Sequence, residues 1–241
     1  MAVFVILGIS TLVPAPAGKP CLLGYYAHCS FTPISTLICW AIAAASYWQG
    51  KKENAKIIKL GKLENDIRRK FGDLYWLFKP RGKVKGFYGT GFCEKYNKNV
   101  MFVAERPSKV GFKEEKQFDR PLQLFYETLE SFNFENAHVT DFIKTKAKAG
   151  ERNDEDLKDS IEIFDREFEI IKPEIVIGVG NTAFHWLYFY LLMKKKNLKP
   201  YKLMHYSQRK PVNSYRESFR ESLKKIAEDI LKADEPKRSA D

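Results

Sequence analysis

The decapeptide Asn99–Ser108, NVMFVAERPS, constrains this chain more than any other stretch. Its apolar run fits a strand buried on both faces, and it ends abruptly in a glutamate, an arginine and a turn-forming proline. Open α/β sheets place ligands just beyond the carboxyl ends of their parallel strands, so charged residues at that mouth mark where a site begins.

The rest of the chain repeats this unit. Val100–Ala104 predicts a first strand, Asp119–Ser131 a helix with a proline tolerated in its first turn, and Ala137–Thr140 a second strand. Asn153 then caps a helix whose acidic start suits the helix dipole and whose Leu157, Ile161, Phe164, Phe168 and Ile171 fall on one face before Pro173 stops it. Glu174–Val179 is a third, β-branched strand, turned by Gly180 and Asn181 into the apolar helix Thr182–Met193. Lys202–Met204 is a fourth strand, and Asn213 opens a helix with Phe219, Leu223, Ile226 and Ile230 on one side. Strands and helices in this rhythm predict a three-layer α/β/α domain over residues 86–232, with a mostly parallel central sheet of about four strands.

The beginning of the chain differs in kind. Lys19 is the only charge in the first 50 residues, so nearly all of the net charge of +11 lies beyond them. Phe31–Trp48 is 18 residues without a charge, which predicts a transmembrane helix. Ala2–Val13 is either the other arm of a membrane hairpin or part of a cleavable signal. Lys51, Lys52, Lys56, Lys59 and Lys62 follow the span, and positive flanks stay in the cytoplasm. The expectation is therefore a membrane segment over 1–50, a basic helical linker over 51–85, a cytoplasmic and monomeric domain, and a disordered tail over 233–241. Cys21, Cys29 and Cys39 lie in or beside the apolar segment, leaving Cys93 alone in the domain, too few for a disulfide framework or a four-thiolate metal site.

If the four strands are parallel, the residues that follow them meet along one edge: Glu105 after the first, Thr140 and Asp141 after the second, Gly180 and Asn181 after the third, His205, Tyr206 and Ser207 after the fourth. A carboxylate, a second acid, an amide and an imidazole suit a flat polar ligand. Each also has an ordinary structural use: Glu105 can pair with Arg106 at a turn, His205 can cap, and Asp141 or Asn181 can open a helix.

These residues resemble the uracil-DNA glycosylase superfamily. Its first motif reads GEAPG, GQDPY or GINPG in different branches, against Ala104-Glu105-Arg106-Pro107-Ser108 here. Its second usually reads HPS, against His205-Tyr206-Ser207, and between them a strand ending in TN is matched by Thr140-Asp141 and a segment like IIKPKVIVALG by Ile170–Gly180. Order and spacing agree over about residues 95 to 232. The resemblance implies hydrolysis of the N-glycosidic bond of a uracil or other deaminated or modified base flipped out of single- or double-stranded DNA. It places Glu105 at the sugar and His205 at the base oxygen as catalytic residues. Asp141 then stands where an asparagine reads the base edge, with Ala104, Arg106 and Asn181 around it and Phe118, or Phe112, stacking on the ring. Ser108, Lys144, Lys146, Ser207 and Arg209 would contact DNA phosphates, which would make binding salt-dependent.

Three departures matter. Arg106 replaces the catalytic aspartate of one branch, though the GEAPG branch has alanine there. Tyr206 replaces the proline of HPS. Asp141 replaces an amide that both donates and accepts, whereas an ionised aspartate only accepts, so complementarity to uracil requires Asp141 to be protonated or the base to offer an amino edge. One branch carries an iron–sulfur cluster on four cysteines, and with Cys93 alone in the domain no cofactor or metal is expected. A non-catalytic membrane-tethered nucleic-acid-binding module and a hydrolase of free nucleosides or nucleotides remain as alternative functions.

Overall fold

The computed structural model describes residues 2–13, 34–71, 89–106, 120–144, 154–205 and 212–234. The chain divides into two compact units, Met1–Lys56 and Ile57–Asp241.

In the first unit, helix α1 (Ala2–Ser10) lies against the start of α2 (Ile34–Phe71). Gly8 makes the approach possible, since a Cβ there would fall 2.5 Å from Trp40 Nε1. Thr11 and Thr36 share a hydroxyl–hydroxyl hydrogen bond of 2.5 Å. The expected membrane segment is not supported: among the described residues no helix is long and apolar enough to cross a membrane. The apolar start of α2 is diluted by Ser35, Thr36, Ser46 and Gln49 and passes into Lys51 and Lys52 within one continuous helix of 38 residues, while α1 has only nine. Phe31–Pro33 and the expected hairpin loop lie outside the described residues.

In the second unit the expected alternation is present: β2 (Lys98–Ala104), α3 (Arg120–Ser131), β3 (His138–Asp141), α4 (Asp154–Ile171), β4 (Ile175–Val179), α5 (Asn181–Met193), β5 (Tyr201–Leu203) and α6 (Val212–Asp234). A two-residue strand β1 (Phe92–Cys93), not anticipated, pairs antiparallel with the start of β2. The other four are parallel, in the order β3-β2-β4-β5. The last helix runs through Ala233 and Asp234, two residues into the stretch expected to be disordered.

The alternation of β2 decides the layers. Val100 and Phe102 point into one apolar cluster with Phe125 and Leu129 of α3 and Phe219 and Leu223 of α6. Met101 and Val103 point into the other, with Phe164 and Phe168 of α4 and Leu187 and Tyr190 of α5. Helices thus cover both faces, and Val100, Met101, Phe102 and Val103 are wholly buried, as a central parallel strand requires. Withdrawing each such side chain from water stabilises the fold by about 1.5–3 kcal/mol. At the end of α4, Lys172 takes a left-handed conformation (φ 51°) ahead of Pro173, which has no N–H to continue the helix.

The chain leaves β2 towards β3 on one side, but leaves β4 towards β5 on the other. The connections diverge between β2 and β4, which opens a crevice at the carboxyl ends of these two neighbours.

Candidate functional site

Because all four long strands are parallel, their carboxyl ends share one edge, as the sequence pattern demanded. Ala104, the buried last residue of β2, is in register with Asp141 at the end of β3. The two tips are tied further by Phe142 N–H donating to Ala104 O (2.8 Å) and Ile143 N–H donating to Glu105 O (2.9 Å). Asp141 and Glu105 are therefore held side by side by backbone.

On the other side of the crevice, Gly180 N–H donates to Leu203 O (2.8 Å), which brings the end of β5 against the end of β4. Gly180 has φ 90° and ψ 168°, a region that only glycine occupies at low cost. A Cβ at this position would stand 3.1 Å from His205 Cδ2 and 3.2 Å from its Cβ, so the missing side chain is also what lets the imidazole lie over the β4 tip. Asn181 is the exposed first residue of α5.

Glu105 links the two halves electrostatically. Burial depresses the basicity of His205, and the negative charge of Glu105 partly restores it. The same carboxylate adds to the forces that raise Asp141. Glu105 and Arg106 form an ion pair (Oε1 to Nε, 3.4 Å) with both side chains partly exposed, so the ordinary use of Glu105 coexists with its place at the edge. An imidazole kept neutral in this way is suited to donating a hydrogen bond to a developing anion without itself being a cation.

Beneath the β3 tip lies a polar cluster that the sequence analysis missed. Lys144, expected on a phosphate, is instead buried: its Nζ donates to Thr140 Oγ1 (2.6 Å), to the main-chain oxygen of Asp141 (2.7 Å) and to Glu167 Oε2 (2.6 Å). Three donors meet three acceptors, so the ammonium has nothing left for a phosphate. Thr140 Oγ1 donates in turn to Glu167 (2.8 Å), and Ser160 Oγ accepts from Lys144 N–H (3.0 Å). A signal was available: Ser160, Phe164, Glu167 and Ile171 occupy one face of α4, so Glu167 falls in an apolar row at a core-facing position.

Asp141 stands above this cluster and is only 3 % exposed. Among the described residues neither carboxyl oxygen has a hydrogen-bond partner. Burial, opposed by Lys144 and reinforced by Glu167 and Glu105, pushes its pKa up to about 8.

Ser108, Phe112, Phe118, Lys146, Ser207 and Arg209 lie outside the described residues. Among the described residues no group of three or more His, Cys, Asp or Glu is placed to hold a metal. Cys93 is buried, with its thiol pushed up to about 12 chiefly by desolvation, which makes it a poor ligand and a poor nucleophile.

Comparison with known proteins yields no match among curated proteins. The family model described as Uracil DNA glycosylase superfamily matches residues 90–232, which take in β2 to β5, Glu105, Asp141, His205 and most of α6.

Proposed function

Since the chain belongs to the uracil DNA glycosylase superfamily, we propose that it is a DNA glycosylase-like hydrolase that removes a uracil or other deaminated base flipped out of DNA. The observation that carries this reading is the convergence of Glu105, Asp141 and His205 on one sheet edge, with the charge of Glu105 felt by both partners.

The chemistry follows from where charge develops. Breaking the bond between C1′ and the base nitrogen leaves a cation-like sugar and an anionic base. Glu105 stabilises the first by its field and accepts a proton from the water that adds to C1′. His205, neutral through burial, donates an N–H to the oxygen on which the base's negative charge gathers. The bond electrons leave with the base, which is protonated after release. Arg106, paired to Glu105, holds the carboxylate while the site is empty.

The test is to incubate the full chain with single- and double-stranded oligonucleotides containing uracil, hypoxanthine or xanthine and to measure alkali-labile abasic sites. Product that is lost in Glu105→Gln and in His205→Ala, with unchanged circular dichroism, is the expected result. Tight binding without product on every substrate overturns it in favour of a binding module, and base release from free nucleosides alone overturns it in favour of a nucleoside hydrolase.

A further inference from the structure

Asp141 presents a problem that the catalytic roles above leave open. A carboxylate with both oxygens buried, and without a partner among the described residues, forfeits several kcal/mol of hydration and receives no hydrogen bond from them in return. The Lys144 ammonium does not rescue it. Lys144 spends its three protons on Thr140, on Glu167 and on the main-chain oxygen of Asp141 itself, leaving the side chain untouched. Among the described residues, the charged groups that act on Asp141 are Lys144 from just beyond its own strand, Glu167 from α4 and Glu105 from the tip of β2, two acids against one base.

We infer, on the basis of the glycosylase reading of this edge, that Asp141 recognises the base as an un-ionised carboxylic acid, its O–H donating to a ring carbonyl and its C=O accepting from the adjacent ring N–H. That pairing selects a lactam edge, the C(=O)–N–H unit shared by uracil, hypoxanthine and xanthine. It also answers the substitution of an acid for an amide. Towards the base an amide presents a donor beside an acceptor, and so does a neutral carboxylic acid, whereas the ionised form offers only acceptors and sets its lone pairs against the base oxygen. The two buried oxygens then pair with the base, and their burial strengthens those hydrogen bonds by keeping the surrounding dielectric low. Desolvation, the largest influence on the group, acts in the direction this role needs, holding the proton up to about pH 8.

The inference is tested with uracil itself as the probe. Its affinity for the full chain is measured by calorimetry from about pH 6 to about pH 9, below the ionisation of the uracil N3–H. The wild type is expected to bind with constant affinity at neutral pH and to weaken by about tenfold per pH unit once Asp141 loses its proton, as one linked proton requires. Asp141→Asn, which keeps the donor–acceptor pair without a titrating group, is expected to bind without that fall. The carboxyl ¹³C signal that disappears in Asp141→Asn should report a protonated group at about pH 6. An ionised signal at that pH, an alkaline fall that survives in Asp141→Asn, or no binding of uracil, hypoxanthine or xanthine at any pH overturns the inference.

Abasic-site formation on a uracil oligonucleotide separates this from the catalytic reading. Uracil binding whose alkaline fall is abolished in Asp141→Asn, without abasic product, leaves the base reader standing and removes the glycosylase. Product formed at a rate that ignores both alkaline pH and Asp141→Asn does the reverse.

Discussion

Replacing Lys144 by methionine removes an ammonium from the interior while keeping most of its aliphatic stem. The side chains of Lys144 and Glu167 are 3 % and 2 % exposed and 2.6 Å apart, so the variant leaves the Glu167 carboxylate buried with Thr140 Oγ1 as its remaining side-chain donor among the described residues. Breaking a buried pair from one side costs about 3–5 kcal/mol, because the surviving charge keeps its desolvation penalty and loses its compensation. A unit of this size loses roughly 2–4 °C of melting temperature per kcal/mol, so a fall of roughly 6–20 °C is expected.

The pair itself is a different quantity from either half. Lys144→Met combined with Glu167→Leu removes both charges and should recover most of the single-variant loss, giving a coupling energy of roughly 1–3 kcal/mol in a double-mutant cycle read by urea denaturation. The singles should also move Asp141 in opposite directions: Lys144 lowers its pKa and Glu167 raises it, so Lys144→Met shifts the Asp141 titration up and Glu167→Gln shifts it down. Singles that each cost less than about 1 kcal/mol and simply add would mean that water screens the pair, and the account of the β3 tip would be wrong.

Stability against pH should carry two opposed slopes. The folded chain keeps the Asp141 proton up to about pH 8 while the unfolded chain releases it near 3.8, so stability falls as pH rises across that window, by about 1.4 kcal/mol per unit. His138 and His205 are depressed by burial below the ordinary 6.5, so the unfolded chain takes up protons that the folded chain refuses, and stability falls as pH drops below that value. Denaturation of Asp141→Asn across pH should abolish the first slope and leave the second. Gly180→Ala forces a side chain into a backbone region reserved for glycine and against His205, so a loss of about 1–3 kcal/mol is expected. On the role proposed for His205 at the leaving base, its catalytic effect should appear mainly in kcat.

The layers of the domain were legible because its strands are short apolar runs between turn signals. Val100–Ala104 and Ile175–Val179 could serve only as strands buried on both faces, and parallel pairing then brought Glu105, Asp141 and His205 to one edge. What resisted reading was charge placed against its usual preference. Lys144 sits in a run with Lys146 and Lys148, where solvent or phosphate is the default expectation, and nothing local distinguishes the lysine that turns inward. Its destination is set by Glu167, 23 residues away in sequence. The apolar start of α2 misled for the opposite reason. Length without charge suggested a span, but the serines and threonines within it and the lysines that follow in the same helix lower its hydropathy below what crossing requires.

The buried pair and the unpartnered acid above it form one electrostatic arrangement. A lone lysine beneath Asp141 would favour the ionised carboxylate, and a lone glutamate would repel it; together, at 2.6 Å, they present Asp141 with nearly cancelling charges. Desolvation is then left as the dominant influence, and it favours the protonated acid. The same three hydrogen bonds anchor the main-chain oxygen of Asp141 and the hydroxyl of Thr140, so the group is fixed in place by contacts that do not use its side chain. On the proposed role, the β3 tip accommodates an acid where the resembled motif has an amide: the cluster supplies position, burial supplies the proton, and both carboxyl oxygens are left for a base. Neutralising Glu167 alone should therefore weaken uracil binding at neutral pH with the β3 tip still anchored, an outcome that loss of position alone does not produce.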